Sequence, residues 1–153
     1  LEHPDILQNH HEKLNHLFPK TIPFGILDYR LTNIAISFQY APVDKIRQAY
    51  CRLENIVRER TGLRGLSSKE LFKKAFQGEN SHLTWDVDTK NEVESRAQLF
   101  INIFGAFRNR ISHQEIHPTH KECVREFLLI NQLYILERQA EKNQKEPGNS
   151  THE

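Results

Sequence analysis

The sequence has 153 residues, 37% hydrophobic and 27% charged, with 21 Lys and Arg against 20 Asp and Glu. That is one domain, long enough to bury a core without staples and too apolar for a disordered chain. Cys51 and Cys123 stand far apart with no Cys-x-x-Cys, which excludes a disulfide scaffold and a zinc ribbon, while the near-zero net charge leaves a nucleic-acid partner neither favoured nor excluded.

No apolar run approaches a membrane span, and the N-terminus is polar and His-bearing, unlike a signal peptide. No membrane association and a reducing, cytoplasmic setting are therefore expected. The chain holds no Met and opens on Leu1, as a fragment of a longer protein would.

A first helix is expected over Asp5 to Leu17, where Leu7, His10, Leu14 and Leu17 recur at three and four after Pro4. Pro19, Pro23 and Gly25 break that pattern. From Phe24 to Tyr40 the β-branched content allows extended structure, but Ile26, Leu27, Leu31, Ile34 and Phe38 suit a helix better. The next helix opens at Pro42 and Asp44, carries Ile46, Tyr50, Leu53 and Val57 as its buried stripe, and stops at Gly62. Ser67 and Glu70 have capping-box spacing ahead of a short helix with Leu71, Ala75 and Phe76, ended by Gly78. Residues 80–88, around Leu83, Trp85 and Val87, read as a loop or small hairpin.

The strongest periodicity runs from Asn91 to Ile111. Val93, Ala97, Phe100, Phe104, Phe107 and Ile111 step by four and three, and Leu99 and Ile103 widen the stripe. So wide a stripe predicts a central helix that also meets a partner chain. His117 and Pro118 make a break, and Thr119 with Glu122 caps a last helix to about Arg138. These elements predict an all-α bundle of four to five main helices. The polar stretch from Glu141 reads as a disordered tail. Both Cys are expected unpaired and structural, Cys51 beside the Tyr50 stripe and Cys123 at the start of the last helix.

Charge is uneven along the chain. Residues 44–76 carry nine Lys and Arg against four Asp and Glu, whereas 79–98 carry two against five. The basic stretch is compatible with phosphate binding, although solvated helix faces have the same composition. No GxGxxG, P-loop, GxSxG or HExxH occurs. His113, His117 and His120 would share a helix face, but Pro118 interrupts that helix, so neither a metal site nor any other cofactor is expected.

The central helix ends in Phe107-Arg108-Asn109-Arg110-Ile111-Ser112-His113. Two cations and a His there have no packing reason to exist, though cations in a last turn also complement the helix dipole. An Arg and a His five apart mean little alone: 11 Arg and 9 His give about 0.65 chance matches. An Asn directly after the Arg cuts that to about 0.05, and placement at the end of an apolar helix cuts it further.

Arg108-Asn109-x-x-x-His113 resembles the motif of HEPN-superfamily domains, and the order of pieces is similar to the Ymh-type family, which carries a HEPN-like domain. His3-Pro4-Asp5-Ile6 resembles that family's opening. Leu53-Glu54-x-x-Val57-Arg58-x-x-x-Gly62-Leu63 resembles its second helix and stop, and Leu71-Phe72-x-x-Ala75-Phe76 its short helix. Gly105-x-x-Arg108-Asn109-x-x-x-His113 matches its signature. Arg110 and Ser112 depart from the family's usual Pro and Ala, and residues 19–42 look like an insertion or replacement.

The resemblance implies a HEPN-like domain over 1–140 with 141–153 as tail, working as a homodimer that cuts RNA without metal and leaves 2′,3′-cyclic phosphate ends. Arg108 would hold the phosphate, His113 would move the proton, and Asn109 would brace the backbone or the His. Arg110, Arg64, Lys73 and Lys74 would bind flanking phosphates. It also implies a toxin or phage-defence context, with an antitoxin or a fused sensor domain as further partners. The residue types suit the chemistry. A His titrates near neutrality, and an Arg is always charged and grips two oxygens. Positions five apart lie about 140° around a helix, so either the helix ends between them or two chains contribute. Two other readings remain: a non-catalytic domain that binds a nucleotide or partner through the same residues, and a helical interaction module with a chance motif, in which Arg108 points to solvent away from any cleft or interface.

Overall fold

The computed structural model describes residues 3–17, 22–113 and 115–145, without the side chains of Ser112 and His113. It is an all-α bundle with one minute sheet. The described helices are α1 (Pro4–Leu17), α2 (Thr32–Ile36), α3 (Pro42–Thr61), α4 (Ser68–Phe76), α5 (Lys90–Ile103), α6 (Asn109–His113) and α7 (His120–Gln139). Among the described residues no helix is long and apolar enough to cross a membrane.

The start and stop signals act where the sequence places them. Pro42 sits in the first turn of α3, where its missing N–H costs nothing. Gly62 ends that helix at φ +72° and donates its N–H to the Arg58 carbonyl at 2.8 Å. A side chain there would suffer the left-handed penalty that glycine avoids. Ser67, Thr89 and Thr119 cap α4, α5 and α7, each hydroxyl accepting from the N–H of the Glu three residues on.

α3 buries Ile46, Ala49, Tyr50, Leu53 and Val57 and packs along α7, whose Phe127, Ile130, Leu133 and Tyr134 are buried in return. Tyr134 Oη donates to the Ala49 carbonyl at 2.6 Å, which joins the two helices at mid-length. The other half of the core is aromatic. Phe72 and Phe76 of α4 meet Phe100 of α5, Phe104 and Trp85, and Tyr50 lies edge-on to Phe104 with ring centroids 4.9 Å apart. Such offset and edge-on pairs favour one arrangement beyond the area they bury.

Phe24 to Tyr40 departs from the expected helix. It forms 3₁₀ turns at Phe24–Ile26, Tyr29–Leu31 and Phe38–Tyr40, with only the five-residue α2 between them. Tertiary hydrogen bonds override the periodicity. Asp28 accepts the Arg30 N–H at 3.0 Å and donates its own N–H to Asn131 Oδ1 at 2.7 Å, while Asn131 Nδ2 donates to the Ile26 carbonyl at 3.0 Å.

The hairpin expected within 80–88 is instead half of a longer-range pairing. Strand β1 (Leu83–Thr84) runs antiparallel to β2 (Glu141–Lys142), with Leu83 opposite Lys142. Asn143 continues the tie, donating its N–H to the His82 carbonyl at 3.0 Å and its amide to the Glu79 carbonyl at 2.9 Å. The polar stretch is therefore anchored through Asn143 rather than loose from Glu141. Residues 146–153 of the expected tail lie outside the described residues.

α1 forms as expected, but it buries no residue, and Ile6, Leu7, Leu14 and Leu17 are all exposed. Cys123 is buried and free; Cys51 is also free but lies on the solvent side of α3, not among its packing residues.

Candidate functional site

The central helix does not end where α5 ends. At Phe104–Arg108 the backbone widens into a π-helical turn and then returns to α geometry in α6. One extra residue per turn re-aims the side chains that follow, and such turns gather at functional positions. Phe104 stays in the core. Gly105, Arg108 and Asn109 line a cleft of about 420 Å³.

The opposite walls come from α3 and α4. Glu54 and Arg58, one turn apart on α3, and Ser67, Ser68 and Lys69 at the start of α4 line the same cleft. Glu54 is the anchor and is only 4% exposed. Its Oε1 accepts from Ser68 Oγ at 2.8 Å and faces Arg108 Nε at 3.3 Å, and its Oε2 accepts from Arg58 Nη2 at 3.2 Å. The Arg108 side chain is 25% exposed. Among the described residues neither of its terminal nitrogens has a protein partner. Three cations and one buried carboxylate leave the cleft positively charged, with hydroxyl donors beside it. Low-dielectric walls strengthen such a field toward an anion. A larger but shallower depression of about 580 Å³ lies over Cys51, Arg52 and Asn55 on α3 and holds no motif residue.

The predicted residues divide. Arg108 and Asn109 meet in the cleft, although the Asn109 amide makes no hydrogen bond among the described residues and so braces none of them. His113 is the last residue of α6, and its side chain lies outside the described residues. Arg110, Arg64, Lys73 and Lys74 do not line the cleft. Arg64 is exposed in the α3–α4 loop, and Lys73 and Lys74 occupy the last turn of α4, the far end from Ser67.

Arg110 faces a different group. Tyr50 Oη donates to Glu126 at 2.7 Å, and the charge of Arg110 is felt by Tyr50, Glu126 and Cys123. Burial raises the Glu126 carboxyl above its ordinary value, against the Tyr50 hydrogen bond and Arg110. Burial likewise pushes the Tyr50 hydroxyl far up, and the Cys123 thiol up with help from Glu126 and Glu122. The basic helical region was legible in the sequence, but of its cations only Arg58 and Lys69 line the cleft. Glu54 and Arg58 stand in the stretch that resembles the family's second helix, but nothing there marks them as site residues, and Ser68 carries no motif; the i, i+4 spacing of Glu54 and Arg58 on one helix face was the available signal.

No three of His, Cys, Asp and Glu gather as a metal site among the described residues. No curated protein and no solved structure matches the chain. Residues 39–136 do match a family model described as "Protein of unknown function (Hypoth_ymh)". The matched span contains α3, α4, the π turn and the Arg108–His113 motif, and leaves out α1 with its His3-Pro4-Asp5-Ile6 opening. The chain belongs to the Hypoth_Ymh family.

Proposed function

We propose that this chain is a metal-independent endoribonuclease of the HEPN type, acting as a homodimer. The observation that carries the reading is Arg108. It lies at the end of the central helix, on a π turn, with its side chain held in a basic cleft between α3 and α4. A chance motif on an interaction module would leave that side chain in solvent, away from any cleft.

The chemistry is transesterification. The ribose 2′-oxygen attacks the adjacent phosphorus, the bond to the 5′-oxygen breaks, and a 2′,3′-cyclic phosphate forms. The 2′-hydroxyl proton leaves to a base, and the 5′-oxygen receives one from an acid. His113 fills one of these roles. Arg108 holds the non-bridging oxygens as charge accumulates on them. Lys69 and Arg58 meet a neighbouring phosphate. Arg108 and His113 are five apart, about 140° around the α-helix, so two copies sharing one cleft supply the acid and the base. A toxin or phage-defence role, with an antitoxin or a fused sensor domain, is the biological setting that the HEPN resemblance implies.

The test incubates the purified protein with RNA, with and without EDTA, beside Arg108→Ala and His113→Ala. Cleavage that survives EDTA, requires the 2′-hydroxyl and leaves cyclic phosphate ends is expected. His113→Ala should lose about 10²–10⁴-fold, the usual worth of general acid–base catalysis. Activity that EDTA abolishes and a divalent metal restores overturns the mechanism. So do variants that cut as fast as the parent.

A further inference from the structure

A buried carboxylate is out of place in a cleft built to receive a phosphate. Glu54 repels any anion that enters, and it is almost wholly withdrawn from water. Its bonds show what it does instead. Oε2 takes Arg58 and Oε1 takes Ser68, which pins the carboxylate between α3 and α4. The same Oε1 then meets Arg108 at Nε, the one guanidinium nitrogen on the stem side of the fork. The contact is an ion pair at 3.3 Å; among the described residues neither terminal nitrogen makes a hydrogen bond, and Arg108 lines the cleft.

We propose that Glu54 is a positioning residue for Arg108: it holds the guanidinium by its Nε edge, so that the paired terminal nitrogens face an incoming phosphodiester. This rests on the ribonuclease reading for its consequence, though not for its geometry. An Arg stem otherwise samples many rotamers, and holding a group in its reactive place is worth large factors in rate. The carboxylate opposes anion binding by charge while promoting catalysis by orientation. The two effects therefore separate. With Glu54 neutralised, an anion binds at least as well, and the reaction slows.

The experiment is Glu54→Gln, which keeps the shape and an acceptor for Ser68 but removes the charge. Three readouts are taken: kcat and KM on RNA, the side-chain Nε–H resonance of Arg108 by NMR (assigned by its loss in Arg108→Ala), and thermal unfolding. The expected result is kcat lower on the order of 100-fold, KM unchanged or lower, and an Arg108 signal moved to the free-guanidinium position with faster exchange. Should Glu54→Gln fail to fold, Glu54→Asp is used. It keeps the buried charge but withdraws it by one methylene, and it too should release the Arg108 signal. An Arg108 resonance that does not move overturns the inference, and so does an unchanged kcat. A fall in kcat matched by a rise in KM and a lower melting temperature marks a merely structural residue and overturns it as well. If the parent cuts no RNA, the ribonuclease reading falls alone. The Arg108 signal, titrated with inorganic phosphate, then decides the role of Glu54: ordered and phosphate-responsive in the parent, released in the variant.

Discussion

Two clusters in this molecule are built from the same parts, and they do opposite things. At the junction of the Tyr29–Leu31 turn, α3 and α7, Arg30 donates Nε and Nη2 to Asp28 at 2.9 and 3.2 Å, Nη1 to Glu137 at 2.6 Å, and Nη2 also to the Tyr134 carbonyl at 2.8 Å. Arg60 reaches the other Glu137 oxygen at 2.8 Å and the carbonyls of Glu137 and Ala140, both at 2.6 Å. Every nitrogen of Arg30 is committed. In the cleft, Arg108 makes one ion-pair contact, Nε to Glu54 at 3.3 Å, and no hydrogen bond among the described residues. A cation whose donors are all spent inside the protein is a staple; one whose fork is left open beside a cleft is available to a ligand. Buried ion pairs are thus poor indicators of function until their donors are counted.

The sharpest way to break this comparison is to replace the arginine in each place. Arg108→Lys should lower RNA cleavage by on the order of 10²–10³-fold, because a point charge cannot reproduce the planar fork. Its unfolding free energy should stay within the range of an ordinary surface change, about 0.5 kcal/mol. Arg30→Ala should do the reverse. Leaving buried Asp28 with only the more distant Arg138, and buried Glu137 with Arg60 alone, should cost about 3–5 kcal/mol in denaturant unfolding. Below its melting temperature the variant should cut at the parental rate. If Arg30→Ala abolishes cleavage in a folded protein, the division between staple and site fails.

pH offers a second line. Burial alone would raise the Asp28 carboxyl, but its side-chain and backbone bonds to Arg30, and the charges of Arg30 and Arg138, more than offset that and hold it below its ordinary value. A depressed carboxyl contributes stability that is present above its unfolded pKa and lost as pH falls through the lower folded value. Acid unfolding should therefore steepen below the usual carboxylate range, and Asp28→Asn should remove that steepening. Glu126 has the opposite sign. Its raised pKa favours the neutral form in the folded state, so its contribution is lost as pH rises through the folded value. Glu126→Gln should leave a flatter stability profile just above the ordinary Glu range, and an unchanged profile would remove Glu126 from the account.

Smaller effects sharpen the map of the cleft. Lys69→Ala should reduce the salt slope of RNA binding by about one, uniformly across sequences, whereas Lys73→Ala and Lys74→Ala should leave it unchanged. Filter-binding titrations at several salt concentrations would decide this. Cys51, exposed, should be alkylated by iodoacetamide well before Cys123, whose buried thiol is held in its neutral form. Peptide mass spectrometry at short reaction times reads the order directly.

Much of the architecture is a local property of the chain. The stripes of α3 and α5, the hydroxyl caps at Ser67 and Thr119 and the stop at Gly62 each depend on residues within a turn or two, and appear where the sequence puts them. The Arg108–Asn109 pair was legible for the same reason, as a run of polar residues that an apolar helix had no use for. The tertiary structure decided the rest. Phe24 to Tyr40 gives up its helical period because Asp28 and Asn131 bond across 103 residues, and β1 finds its partner in β2, which carries no strand signal. Glu54, Arg58, Ser68 and Arg108 become one site only because α3, α4 and the π turn converge. A helix period reports which face is buried, and that is a near-neighbour property. Which charged groups end up sharing a cleft depends on how the faces dock, and no spacing along the chain encodes that.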